Sequence, residues 1–150
     1  MWRLTACHPP QYNIETKCSP AGDDKLHPAP PEFVELLMKV INEKNIANRV
    51  IIQSFDPRSL QYLHSHYPAI KTALLVELSA NKSFALQLKE LGFIPTIYSP
   101  AYQLVTPLLI QQCHEAGIKI IPWTVDDAAR IKELKKLGVD GIISDYPNLF

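Results

Sequence analysis

Short apolar runs punctuate the chain, and the segments between them carry helical spacing. The runs are Tyr12-Asn13-Ile14, Val50-Ile51-Ile52, Ala73-Leu74-Leu75-Val76, a stretch around Ile94 to Tyr98, Ile118 to Ile121, and Gly141-Ile142-Ile143. Most are apolar without a break rather than alternating. That pattern marks strands buried on both faces, as in parallel sheets covered by helices. Run starts lie 21–38 residues apart, spacing that βαβ crossovers can fill.

The intervening segments predict helices with readable ends. Phe33, Leu36, Leu37, Val40 and Ile41 recur at i, i+3, i+4, i+7 and i+8, which predicts one buried face for the first, with Pro31 at its start. Asp56-Pro57 opens the second as an acceptor cap followed by a proline. The third spans Ser83 to Leu91 and is closed by Gly92. Thr106-Pro107 opens the fourth, which runs to Ala116 and stops at Gly117. Asp126 is expected to open the last, with Ile131 and Leu134 inward, a basic end at Lys135-Lys136 and Gly138 as its stop.

About six βα units result, with parallel strands. Either an open doubly wound sheet or part of a (β/α)8 barrel would suit them. Neither GxGxxG nor GxxxxGK[ST] occurs, which weakens nucleotide-binding forms of the open sheet. A complete barrel typically needs ~250 residues, so six units in 150 residues would be an incomplete TIM barrel. Composition fits one folded domain: 47% hydrophobic and 20% charged residues, with a net charge of zero. Such a balance gives no pull toward nucleic acid or an anionic membrane, and no apolar run reaches the ~20 residues of a membrane span. Residues 1–11 carry no signal-peptide pattern and stay unassigned; the domain is expected over 12–150. Cys7, Cys18 and Cys113 show no CxxC spacing, so buried or idle thiols are expected, with a Cys7–Cys18 pair as the alternative in an exported parent chain.

In either architecture the chemistry sits beyond the carboxyl ends of the strands. Glu15, Lys17, Gln53, Ser54, Glu77, Ser99, Trp123, Thr124, Ser144 and Asp145 occupy those positions. Ser99 and Ser144 are expected to cap helices or satisfy loop backbone, Asp145 to organise a turn, and Glu77 to be a solvated rim charge. Glu15 and Lys17 share one strand face. A carboxylate there can take a hard cation, and the lysine beside it can offset a phosphate. The alternative is an ion pair inside a barrel.

Four blocks, NIETK (Asn13 to Lys17), VIIQSFDP (Val50 to Pro57), IPWTVDD (Ile121 to Asp127) and LGVDGIISDYP (Leu137 to Pro147), stand in an order and spacing that resembles the glycerophosphodiester phosphodiesterases. The resemblance runs from about Tyr12 to the end. It implies a (β/α)8 barrel that hydrolyses glycerophosphodiesters to glycerol 3-phosphate and an alcohol with a divalent cation, Ca²⁺ or Mg²⁺. It would make Glu15 one of three carboxylate metal ligands and set Lys17, the catalytic lysine, by the phosphate. Trp123 would wall the glycerol pocket, with Gln53, Ser54 and Phe55 lining the mouth.

That family also carries an HRG block, an ExD pair and an HD block on its first strands, which supply two further metal ligands and the acid and base histidines. None of these blocks occurs here. His64, His66 and His114 fall in predicted helices, and the resemblance gives His27, in the loop after NIETK, no catalytic role. The expectation is therefore a truncated enzyme chain, inactive or nearly so alone. The alternatives are a non-catalytic phosphate-binding barrel remnant and an enzyme completed by association, possible through open edges at the first and sixth runs.

Overall fold

A computed structural model describes residues 9–150. Cys7, and with it any Cys7–Cys18 pair, lies outside them; among the described residues Cys18 and Cys113 form no disulfide. Five strands form one parallel sheet: β1 (Tyr12–Thr16), β2 (Val50–Ser54), β3 (Lys71–Val76), β4 (Ile97–Pro100) and β5 (Lys119–Ile120). Between and after them run α1 (Pro30–Glu43), α2 (Pro57–His66), α3 (Phe84–Leu91), α4 (Pro107–Glu115) and α5 (Ala128–Leu137). Strand order follows chain order, β1-β2-β3-β4-β5. A doubly wound sheet reverses its order at a switch point; this one does not, so it is the arc of a barrel.

Parity along the strands divides the two faces. Ile14, Ile52, Leu74, Val76, Tyr98 and Ile120 join one apolar cluster with Val34, Met38, Ile41, Leu60, Leu63, Leu91, Ile110, Ile131 and Leu134 from the helices. Glu15, Gln53, Ala73 and Ile97 alternate with them, aligned by register across β1 to β4. In the middle strands this second face is also closed, with Ala73, Leu75, Ile97 and Ser99 buried. On β1 it opens: Asn13 is exposed and Glu15 half-buried.

Most helix ends match local chemistry. Asp56, Ser83 and Thr106 each accept a hydrogen bond from a backbone N–H of their helix's first turn. Gly92 and Gly138 take left-handed conformations where α3 and α5 stop, with φ of +81° and +99°.

Three expectations are corrected. The buried stripe of α1 is Val34, Met38 and Ile41, while Leu36 and Val40 are each 51% exposed. The stripe is rotated by about one residue, because positions 34, 38 and 41 share a face as well as the predicted set does. The cap of α5 is Asp127, whose carboxylate accepts from Arg130 N; Asp126 instead accepts from Ser144 Oγ at 3.0 Å and Asp145 N at 2.9 Å.

The sixth run, Gly141-Ile142-Ile143, is not a regular strand. Ile143 N donates to Pro122 O and Val125 N to Ile143 O, each at 2.9 Å, and Asp140 N to Ile120 O at 3.0 Å. Pro122 has no N–H, so β5 ends after two residues and its neighbour pairs only through scattered bonds.

Candidate functional site

Register sets the first two site residues side by side. Glu15 of β1 is paired with Gln53 of β2, on the face opposite the helix-packed Ile14 and Ile52. Asn13 Nδ2 donates to Gln53 Oε1 at 2.7 Å, which holds the amide of Gln53 in place. Lys17 follows the last residue of β1 and is exposed. Among the described residues no ion pair joins Glu15 to Lys17, or either one to another group. The Glu15–Lys17 ion pair expected as an alternative is not formed.

Phe55 continues the parity of Gln53 beyond β2. Its ring meets that of Trp123 edge to face, with centroids 5.4 Å apart and planes at 87°. Trp123 bridges to Ala101 in parallel pairing, and its Nε1–H donates to Ser99 O at 2.8 Å. The two rings thus meet over the carboxyl ends of β3 and β4. Ser54 has the opposite parity. It is fully buried, donates to Thr16 O at 3.0 Å and accepts from Asp56 N at 3.1 Å, which ties the end of β2 to that of β1.

Ser99 Oγ donates to Ile121 O at 2.6 Å and Ser144 Oγ to Asp126, so both hydroxyls serve the scaffold. Glu77 is exposed and accepts from Ser79 Oγ at 3.1 Å.

One element near the mouth escapes sequence spacing. Arg58, in the first turn of α2, grips Asp56 and Asp23 together, with closest contacts of 2.6 Å to each. The hydrogen bonds from Arg58 hold the Asp23 carboxyl below the usual carboxylate range. Those to Asp56 and Asp23 push the guanidinium further up. Asp56 was legible as a cap; its partner Asp23, 33 residues upstream in a loop, was not. The grip fastens the β1–α1 loop, which begins at Lys17, to the rim of α2.

His27 lies in that loop with both ring nitrogens engaged. Nε2 accepts from Ser19 N at 3.1 Å, which leaves Nδ1 to donate to Pro28 O at 2.9 Å. His64 stacks on Phe93 and His66 on Tyr62. His114 meets Asp140 at 3.0 Å. None of these four imidazoles is hydrogen-bonded to Glu15 or Trp123.

Among the described residues no three His, Cys, Asp or Glu side chains are grouped to hold a metal ion. Hard divalent cations take six or more oxygens, commonly from several carboxylates. Glu15 alone does not fit a resident Ca²⁺ or Mg²⁺. No helix among these residues is long and apolar enough to cross a membrane.

Comparison with known proteins gives one answer. A sequence model described as the glycerophosphoryl diester phosphodiesterase family matches residues 5–149. A glycerophosphodiester phosphodiesterase of Caldanaerobacter subterraneus subsp. tengcongensis is 35% identical over 117 residues, covering 78% of this chain and 47% of that protein. A solved structure from Silicibacter pomeroyi, named for the same family, superposes with a TM-score of 0.80 at 26% identity over 93% of this chain and 48% of its own. An Oleispira antarctica phosphodiesterase, solved in complex with the product sn-glycerol-3-phosphate, shares the fold at a TM-score of 0.72 and 17% identity, covering 91% of this chain and 52% of its own. The chain spans about half the length of the curated relatives it matches.

Proposed function

This chain belongs to the glycerophosphoryl diester phosphodiesterase family, and we propose that residues 12–150 form the phosphate- and glycerol-binding side of a glycerophosphodiester-hydrolysing site. The observation that carries this reading is the Phe55–Trp123 contact over the ends of β3 and β4. The mouth it borders also has a register-aligned carboxylate, Glu15, and carboxamide, Gln53. In this reading Lys17 offsets the phosphate charge, Gln53 donates to a phosphate or glycerol oxygen, and Trp123 and Phe55 cover the carbon skeleton. Ser54 supports the rim from beneath.

Hydrolysis of a phosphodiester needs charge stabilisation together with proton transfer from water and to the leaving oxygen. In support of low turnover, the imidazoles of His27, His64, His66 and His114 make no hydrogen bond to Glu15 or Trp123. Loss of a positioned acid and base typically lowers rate by ~10²–10⁴-fold. The chain alone is therefore expected to bind without appreciable turnover. Ca²⁺ or Mg²⁺ is expected to bind at Glu15 no more tightly than about millimolar, since a lone carboxylate falls short of a built site.

The test is twofold. Calorimetry should detect sn-glycerol 3-phosphate binding to the purified chain, weakened by Lys17→Ala. A coupled assay should find no release of glycerol 3-phosphate from a glycerophosphodiester. Absence of binding at millimolar ligand would refute the site, and release at the rates of full-length relatives would refute the inactivity.

A second reading, a phosphate-binding barrel without catalysis, rests on Lys17, which is exposed and has no ion-pair partner among the described residues. Adding a separate polypeptide that carries the HRG and ExD blocks separates the two: restored turnover favours the enzyme reading. Association through the β1 edge or the Gly141–Ser144 margin should then appear in analytical ultracentrifugation.

A further inference from the structure

The two margins of the sheet differ in chemistry. β1 is an edge strand: β2 pairs one side of it, and no strand among the described residues pairs the other. The helix beside it is also uncovered on that side. At 3.6 residues per turn, the buried Val34, Met38 and Ile41 of α1 face the sheet. Glu35 stands on the flank toward α2, where it accepts from Tyr62 Oη at 3.0 Å and Tyr67 Oη at 2.8 Å. Phe33, Leu37 and Val40 fall on the opposite flank, with Leu36 at its outer edge. Leu36 and Val40 are exposed, and Phe33 and Leu37 are half-buried. The charged residues of α1 turn elsewhere, so this flank is apolar along its length.

At the far margin α5 exposes Lys132, Glu133, Lys135 and Lys136. Joining copies head to tail would set the apolar flank against these charges, which would lose water for no partner. The apolar margin instead complements itself. An open strand edge invites another strand. Antiparallel pairing of two β1 edges about Ile14 sets Asn13 opposite the partner's Glu15, twice over. An amide donor then faces a carboxylate, and no like charges meet. The same two-fold axis, perpendicular to the sheet, keeps both α1 helices on one side of it. They run antiparallel there, apolar flank toward apolar flank.

We propose that the β1–α1 margin is the interface of a symmetric dimer of this chain, which joins two sheets through β1 and brings the partner's Asn13 beside Glu15. The proposal rests on the fold and stands apart from what the mouth binds.

Analytical ultracentrifugation of the 150-residue chain tests it. A reversible dimer should form at a concentration on the order of micromolar. Leu36→Glu and Val40→Glu, both at exposed positions, should each weaken it by about tenfold or more, with the circular dichroism of the chain unchanged. Leu108→Glu, at an exposed position of α4, should leave it as it was. Amide exchange in β1 should slow as the chain is concentrated, while exchange at Ile120 of β5 stays constant. A chain that is monomeric at millimolar concentration overturns the proposal. So does a dimer indifferent to both α1 variants, or one lost equally with Leu108→Glu. A monomer that instead captures a separate βα polypeptide carrying the HRG and ExD blocks, in a Leu36-dependent way, gives the margin to that partner and overturns the self-pairing.

Discussion

The rings of Phe55 and Trp123 meet edge to face at 5.4 Å, although one follows β2, the other follows β5, and two strands lie between. Such a contact requires the rim to bend inward until side chains from non-neighbouring strands touch. Edge-to-face pairs contribute about 0.5–1.5 kcal/mol beyond their area burial. The Trp123 indole is further fixed by its bond to Ser99 O. Trp123→Phe should keep a ring and lose that bond, lowering stability by about 1 kcal/mol in urea unfolding. Trp123→Ala should in addition weaken glycerol 3-phosphate binding several-fold; unchanged binding would remove the tryptophan from the site.

Arg58 is expected to position the β1–α1 loop rather than touch ligand. Arg58→Ala leaves Asp56, whose side chain is 5% exposed, with its helix N–H partner alone. A loss of about 2 kcal/mol should follow, discounted from fully buried pairs because Arg58 is partly exposed.

The same grip carries a pH signature. Asp23 has a folded pKa depressed below 3.8, so its contribution is present above that value and is lost as pH falls through the lower folded one. Acid titration of stability should therefore be steeper in the wild type than in Arg58→Ala below about pH 4. Parallel acid profiles would show that the pair carries no such coupling.

Gly22 is buried where a Cβ would stand 2.5 Å from His27 Nε2. Gly22→Ala should displace the imidazole and release the Ser19 amide, read as a large ¹⁵N–¹H shift at Ser19. Combining it with His27→Ala should return helix stability and loop shifts outside 19–27 to those of His27→Ala alone. If Gly22→Ala disturbs the loop equally in both backgrounds, the close approach is not the cause.

Burial pushes the Cys113 thiol up to about 12. In a Cys7→Ser background a thiol reagent at pH 8 should label Cys18, which is partly exposed and bonded to Ser59 Oγ at 2.9 Å. Cys113 should react only on unfolding, at the rate the protein opens. Mass spectrometry of the labelled peptides reads both.

Helix starts were legible because a cap is local chemistry: Asp56, Ser83 and Thr106 each act within three residues of themselves. The rotation of α1 was not, since Phe33, Leu36 and Val40 satisfy the same period as Val34, Met38 and Ile41, and only the position of the sheet chooses between them. Choosing Asp126 over Asp127 failed for a related reason. Two adjacent acceptors both suit a helix start, and the distant Ser144 hydroxyl and Asp145 amide claim the first. At the candidate site, the family resemblance nominated Phe55, while strand-end position nominated Glu15, Gln53 and Trp123. It could not separate Ser54 from its neighbours without strict attention to parity, nor reveal that Asp23 would reach Arg58.

Pro122 has a consequence for how the domain moves. With no amide hydrogen at that position, the backbone of the C-terminal margin of the sheet is joined by three separate bonds rather than a continuous ladder. Amide protons of Ile143 and Val125 should exchange with deuterium well before those of Ile52 and Leu74, whose strands are laddered on both sides. Opening there would loosen the anchorage of α5, while the Glu15–Gln53 pair at the opposite margin kept its shape.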